Sequence, residues 1–307
     1  MEKNNSRIII ITGPTAAGKT DVSVDLAVRF NGEIVNCDSM QVYRYMDIGT
    51  AKPSPDERKG IPHHLLDIVD PDEEFNASSY REYAIPVIRD ILDRKKACII
   101  VGGTGLYVKS LLGGLLECPP SDPEIRKRLS LEYEEKGGNA LYEHLKKLDP
   151  ESASGIHPND KIRVIRALEI IELTKKQLSE LIRDHAFNDQ QFSTLKICLH
   201  HERDVLYERI NKRSLKMLEG GLIEETENLL KMGYSADLKP LRSIGYRHAA
   251  EYIDNTRGFD GTLELLQRDT RRYAKRQITW FRADPEMIWT YPEERDFIEE
   301  KIKEFIS

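Results

Sequence analysis

Eight residues near the N-terminus, Gly13-Pro14-Thr15-Ala16-Ala17-Gly18-Lys19-Thr20, constrain this chain more than any other stretch. They follow the apolar run Ile8-Ile9-Ile10-Ile11 and precede Val22-Ser23-Val24-Asp25-Leu26-Ala27, which reads as a helix. The pattern G-x-x-x-x-G-K-T between a buried strand and a helix is a phosphate-binding P-loop in its expected context. The glycines let backbone amides turn inward around an anion, and the helix N-terminus adds partial positive charge. Lys19 offers a point charge to a terminal phosphate, and the Thr20 hydroxyl can ligate Mg²⁺. The motif alone fits an ATP-using kinase, an NTPase, or an enzyme that displaces diphosphate from carbon.

At 307 residues the chain can bury a full core, with room for two domains. A net charge of −6 disfavours a general nucleic-acid binder, so such a role needs a local basic face. Cys37, Cys98, Cys118 and Cys198 stand apart, without C-x-x-C pairing or zinc spacing, as reduced cysteines of a cytoplasmic protein do. Ile8–Ile11 is too short for a signal segment or a membrane span. No repeat or low-complexity tract is present, and no obligate protein partner is evident.

Short Val- and Ile-rich runs alternate with helical stretches over the first 115 or so residues. Ile8–Thr12, Glu33–Asn36, Leu65–Val69 and Ala97–Val101 read as strands of a parallel sheet covered on both faces. Ligands of such sheets bind at the carboxyl ends of the strands, which places Asp38 and Gly102-Gly103-Thr104-Gly105 on the rim with the P-loop. Beyond Pro119-Pro120-Ser121-Asp122-Pro123 the strand signal stops. Glu124–Lys136, Ala140–Leu148 and Asp160–Ile182 have helical periodicity, with turns at Gly137-Gly138 and His157-Pro158. Leu195–Leu199 returns to the sheet, several helices follow, and Met287–Tyr291 and Glu294–Ile306 read as a last strand and helix. The expected organisation is an α/β P-loop core from 1–118 and 192–307, interrupted by a helical insertion at 119–191.

One late helix carries Arg268, Arg271, Arg272, Lys275 and Arg276 at i, i+3, i+4, i+7 and i+8, a single helical face. Leu266, Tyr273 and Trp280 recur every seven residues on another. A basic face is often merely solvated. Here, however, Leu241–Arg282 holds nine Lys/Arg against five Asp/Glu inside an acidic protein, which favours a polyanion partner.

Phosphoryl-transfer P-loop enzymes usually end a neighbouring strand in a carboxylate that helps hold Mg²⁺. Ala97–Val101 ends instead in Gly102–Gly105, and the available carboxylate is Asp38, one strand over. By chemistry alone Asp38 is a Mg²⁺ partner, a general base, or a turn former beside Ser39. His63 and His64 are adjacent in an extended segment and point opposite ways, so they suit packing better than chelation. His200-His201 carries no assigned chemistry.

The blocks Gly13–Thr20, Asp38-Ser39-Met40-Gln41-Val42-Tyr43, Asp47–Pro53, Pro62–Asp67, Gly102–Tyr107, Arg163–Glu169, Arg242–Arg247 and Lys275–Arg282 together resemble the tRNA dimethylallyltransferase (tRNA isopentenyl-diphosphate transferase) family. The resemblance runs from about Arg7 to about Arg282 and includes blocks far more specific than a bare P-loop. It implies transfer of a dimethylallyl group from dimethylallyl diphosphate to the exocyclic amine of the tRNA adenosine 3′ of the anticodon. By this resemblance the loop Gly13, Pro14, Thr15, Ala16, Ala17, Gly18, Lys19 and Thr20 holds the diphosphate rather than ATP, with Mg²⁺ near Thr20 and Arg242 reaching the diphosphate. Asp38 becomes the general base, with Thr104 and Arg126 flanking the reaction channel. Asp38, Ser39, Met40 and Gln41, the segment Ile162, Arg163, Val164, Ile165 and Arg166, Tyr246 with Arg247, and Lys275, Arg276, Gln277, Trp280 and Arg282 match segments that contact tRNA. The insertion would then grip the anticodon stem-loop. Ala17 stands where the family often has Ser or Gly, which leaves the backbone amides free. The lack of the C-terminal zinc-finger extension known in eukaryotic relatives points to a bacterial form. A small-molecule P-loop kinase, with no need of the basic helix, and a non-catalytic nucleic-acid-binding NTPase switch, with no need of Asp38, are the competing classes.

Overall fold

The structure is a computed structural model, and it describes residues 6–116, 118–185 and 191–307. Two compact units divide it: Met1–Leu112 with Gln191–Ser307, and Gly113–Gln190. The first part of the larger unit runs β1 (Arg7–Thr12), α1 (Lys19–Arg29), β2 (Gly32–Asn36), α2 (Pro55–Arg58), β3 (His63–His64), α3 (Ala77–Asp93), β4 (Ala97–Val101) and α4 (Gly105–Gly113). The smaller unit is helical: α5 (Pro123–Lys136), α6 (Gly138–Leu148), α7 (Pro150–Ser154), α8 (Lys161–Thr174) and α9 (Leu178–His185). The chain returns as β5 (Ser193–Leu199), α10 (Arg203–Glu219), α11 (Leu222–Lys231), α12 (Tyr246–Ile253), α13 (Phe259–Arg282), β6 (Ile288–Thr290) and α14 (Arg295–Ile306).

Among the described residues, six strands form one parallel sheet in the order β3-β2-β4-β1-β5-β6. The isoleucine run of β1 is central, and both faces are covered: Ile8 to Ile11 are at most 2% exposed. Ile9 and Ile11 pack with Val22 and Leu26 of α1 and Ile298 and Ile302 of α14, closing one face. A strand buried on both sides has no need of polar alternation, which explains the continuous apolar run. Among the described residues, no helix is long and apolar enough to cross a membrane.

Two expected elements differ. Residues 65–69 do not form the third strand; the pairing with β2 is made by His63 and His64. Leu65 (φ 61°) and Asp67 (φ 56°) adopt left-handed backbone, which breaks an extended run. The chain there turns onto the 42–44 segment instead, with Ile68 N–H donating to Val42 O and Arg44 N–H to Val69 O. The expected helix over 160–182 is two helices, because Lys175 ends α8 in a left-handed cap (φ 58°). The smaller unit has its own core of Leu129, Leu141, Leu145, Ala153, Val164, Ile165, Ala167 and Leu168.

Candidate active site

Three strand ends are laced into one rim. Thr12 Oγ1 donates to Gly102 O (2.9 Å), Gly102 N to Ile11 O (3.3 Å) and Cys37 N to Val101 O (2.7 Å). A β-carbon at Gly102 would lie 2.0 Å from Cys37 O, so only glycine permits this approach. Gly13 opens the P-loop at φ 141°, with Leu199 O 2.3 Å from where a β-carbon would stand. The β1, β2, β4 and β5 ends thereby converge on the loop.

Lys19 heads α1 and its Nζ donates to Gly13 O (3.0 Å) and Pro14 O (2.9 Å). Burial, and then the nearby Arg213 guanidinium, lower its pKa to about 8, against an opposing pull from Asp38. Burial also lowers the Arg213 pKa, again opposed by Asp38. Among the described residues neither cation has a carboxylate within ion-pair distance, so the two hold a positive site at the loop. Arg209, one turn before Arg213 on α10, donates from Nε to Ala16 O (2.8 Å) and braces a residue held at φ 65°. Arg242, expected at the diphosphate, is exposed just before α12.

Asp38 follows β2. Its backbone is pinned by Asn36, whose side chain accepts from Asp38 N (3.1 Å) and donates to Asp38 O (3.2 Å) and Leu65 O (3.0 Å). Met40 N donates to Asp38 Oδ1 (2.9 Å), which orients the carboxylate. Thr104 Oγ1 accepts from Ser39 N (3.0 Å), tying the β2 and β4 rim loops together. The Asp38 charge also reaches Tyr273 on α13, whose phenol is pushed well up, first by burial and then by that carboxylate. Cys198, beside Lys19, is a buried thiol pushed up to about 12 and is no nucleophile.

The two motif blocks at 47–53 and 62–67 meet at Lys52, whose side chain is 3% exposed and pairs with Asp47 and Asp67. Glu225 of α11 accepts from the amides of Asp47, Ile48 and Gly49 and from the Tyr246 hydroxyl. Tyr246 is wholly buried beneath Gly49, so its side chain supports this loop and does not face an RNA. Gln41 is likewise tied down, donating to Thr50 O and Ala51 O.

The basic face of α13 is partly spent within the protein. Asp269 gathers Arg268, Arg272, Arg247 and His248, and Arg271 turns inward to Asn211 Oδ1 (2.6 Å) and the Tyr207 ring. Lys275, Arg276, Trp280 and Arg282 remain exposed, with Arg276 over the Tyr273 ring and Arg282 over Trp289. Among the residues of this block expected to meet tRNA, Gln277 is the buried one: it is 5% exposed and points inward.

In the smaller unit, Ile162 is 81% exposed at the start of α8, and Arg163 is exposed beside it. Val164 and Ile165 are core residues, which removes their side chains from any RNA surface. Arg126 Nε donates to both oxygens of buried Glu169 (3.0 and 3.1 Å), and Arg166 Nη1 donates to the same carboxylate (2.6 Å). Arg126 takes its geometry from this unit. The contributions of Arg209, Arg213, Tyr273, Glu225 and Glu169 were missed in the sequence; the Arg209–Arg213 spacing of four was the one available signal, and it resembles any amphipathic helix.

The sequence profile of the family described as IPP transferase matches residues 41–284. A protein of Geobacter sulfurreducens named tRNA dimethylallyltransferase is 49% identical over 296 residues, covering 96% of this chain and 95% of its own. The full-length tRNA isopentenylpyrophosphate transferase of Bacillus halodurans has a similar structure (TM-score 0.71, 40% identity), covering 98% of each chain. A eukaryotic dimethylallyltransferase described as acting on tRNA is similar at TM-score 0.79 and 29% identity, covering 98% of this chain and 84% of its own.

Proposed function

Because the chain belongs to the IPP transferase family, we propose that it transfers a dimethylallyl group from dimethylallyl diphosphate to the exocyclic amine of the adenosine 3′ of the anticodon in tRNA. One arrangement carries this reading. The ends of β1, β2 and β4 are hydrogen-bonded into one rim, so Asp38, a proton acceptor, and the P-loop with Lys19, a receptor for an anionic leaving group, share one end of the sheet. Absence of a carboxylate at the β4 end fits displacement of diphosphate better than phosphoryl transfer.

In the reaction the adenosine N6 forms a bond to C1 of the dimethylallyl group as the C1–O bond breaks. The electron pair of that bond leaves with diphosphate, and the N6 proton passes to Asp38. An adenine amine is a very weak acid, but its proton becomes labile as nitrogen bonds to carbon, so an ordinary carboxylate suffices as base. Lys19, Arg213 and the α1 N-terminus stabilise charge on the departing oxygen. Met40 N–H holds Asp38 Oδ1, which leaves Oδ2 for the proton. Thr104, through Ser39, keeps the base-bearing loop on the rim.

Mg²⁺ fits this site as a companion of the diphosphate. Among the described residues no group of three or more His, Cys, Asp or Glu could hold a metal. Mg²⁺ keeps several waters and otherwise uses few protein donors together with substrate phosphates. The Thr20 hydroxyl at the head of α1, with the diphosphate oxygens, is such a set. When bound, the ion neutralises charge on the leaving group.

The acceptor is held by exposed groups, Lys275, Arg276, Trp280, Arg282 and Arg247 of the larger unit and Ile162, Arg163 and Arg126 of the smaller one, together with the partly buried Arg166. Ser39, Met40 and Gln41 adjoin the target base, which must leave its stack to reach Asp38. Incubation with dimethylallyl diphosphate, Mg²⁺ and unmodified tRNA, followed by nucleoside mass analysis, is expected to show one added dimethylallyl group. Steady ATP hydrolysis with no prenylated tRNA would overturn the proposal in favour of a kinase or an NTPase switch.

A further inference from the structure

The block at 275–282 reads as one RNA-facing segment, yet its residues point to two sides of α13. Ala274, Gln277 and Phe281 are at most 5% exposed, whereas Lys275, Arg276 and Trp280 are exposed. Residues two apart on a helix are separated by about 200°, so Gln277 cannot share the Lys275 face. Both ends of its carboxamide are bonded inside. Oε1 accepts from Thr15 N in the P-loop (2.8 Å), and Nε2 donates to Gly103 O at the end of β4 (2.9 Å). The orientation of the amide is forced, because the Thr15 amide can only donate and the Gly103 carbonyl can only accept. Gly103 makes room for it: a β-carbon there would lie 2.2 Å from Nε2.

We propose that Gln277 is a positioning residue for the diphosphate loop and not part of the RNA-contacting surface; this rests on the functional reading above. Gln277 holds the Thr15 peptide, and Arg209 holds the adjoining Ala16 carbonyl. Two consecutive residues of the loop, one of them in left-handed backbone, are thus fixed from outside by α13 and α10. A loop that gathers an anion with backbone amides binds best when those amides are already aimed, because ordering them on binding would reduce affinity. Gln277 also spans from the P-loop to the rim loop that carries Thr104, and so sets the spacing between diphosphate and base.

The test uses Gln277→Met, which keeps the volume and removes both bonds, leaving Thr15 N–H and Gly103 C=O unpaired. For this variant the Kd for inorganic diphosphate with Mg²⁺ and the KM for dimethylallyl diphosphate should rise about tenfold, while affinity for a labelled anticodon stem-loop RNA stays within about twofold. Hydrogen exchange at the Thr15 amide should quicken in the folded variant. A rise in RNA Kd equal to or greater than the diphosphate effect, or no change in diphosphate binding, overturns the proposal. If the Met variant melts below the assay temperature, Gln277→Glu replaces it: one oxygen still faces Thr15, and the other repels Gly103 O. It should lose diphosphate affinity, and retention of parent affinity overturns the proposal. Failure of the functional reading is distinct, since the unmutated protein would then bind diphosphate without prenylating RNA.

Discussion

Replacing Glu169 with Gln separates charge from placement in RNA binding. The carboxylate is wholly buried and accepts from Asp122 N (2.7 Å), from Arg126 Nε and from Arg166 Nη1. Burial opposes its ionisation, but the bonds from Arg166, the Asp122 amide and Arg126 outweigh that and hold its pKa below the usual Glu range. One carboxylate thus serves two guanidiniums, and the cluster keeps an excess positive charge. Arg126 is bound through Nε, and its side chain is 46% exposed, so its terminal nitrogens are available to an anion. A neutral Gln still accepts the Asp122 amide, but it loses the charge-assisted bonds, worth about 1.5–3 kcal/mol each. Both arginines then rehydrate, so the unit should lose about 3 kcal/mol of stability. The depressed pKa makes this stabilisation complete above the ordinary Glu value of 4.5; it fades as pH falls through the lower folded value, so the variant's deficit should shrink in acid. For RNA the two explanations have opposite signs. Attraction by net charge alone predicts tighter binding, since the variant is more positive by one. Placement predicts weaker binding, with the slope of log K against log salt reduced by about 1–2 as the released arginines no longer meet phosphates. Anisotropy titrations of a labelled anticodon stem-loop across a salt series, below the variant's melting point, decide between them. Tighter binding with an equal or steeper slope would refute the positioning argument.

Asp38→Asn keeps the shape of the base and should lower single-turnover prenylation about 10²–10⁴-fold, with diphosphate affinity not weakened; weaker diphosphate binding, or restoration of the rate by raised Mg²⁺, would make Asp38 a metal partner instead. Lys19 ionises near pH 8, and a bound anion favours its ammonium form, so diphosphate binding above pH 8 should take up a proton and weaken as pH rises. Calorimetry in buffers of different ionisation enthalpy reads that proton, and zero uptake excludes the mechanism. Lys275→Ala with Arg276→Ala should reduce the RNA salt slope by about two, whereas Arg268→Ala with Arg272→Ala should reduce it less, because Asp269 already holds that pair; equal slopes for the two double variants would show that Asp269 does not matter.

The sheet was legible because its signals are local and redundant. An apolar run, a glycine loop and a helix at the P-loop, followed by alternating Val- and Ile-rich strands, leave few arrangements other than a parallel sheet. The rule that ligands gather at strand ends then placed Asp38 and Gly102–Gly105 on one rim, where the structure joins them through Thr104, Cys37 and Thr12. The apolar residues at 65–69 misled because hydrophobicity says nothing of the left-handed backbone at Leu65 and Asp67. Arg213 was invisible for a different reason: on a helix full of charged residues, only its burial distinguishes it from a solvated arginine.

The motif blocks pose a further problem, because a block is contiguous in sequence while a helix distributes its letters around a circle. Lys275, Arg276 and Trp280 meet solvent, yet Gln277 between them meets Thr15 and Gly103. In the α12 block, Arg247 is exposed and Tyr246 is buried against the loop held by Glu225. At the start of α8, Ile162 and Arg163 face outward while Val164 and Ile165 build the core. Resemblance therefore assigns a segment to a task, and burial assigns each side chain within it. On α13 that division has a chemical consequence. One helix carries exposed Lys275 and Arg276 on its outer face and holds the P-loop through Gln277 on its inner face, so under the proposed function the RNA surface and the diphosphate site share a common rigid element.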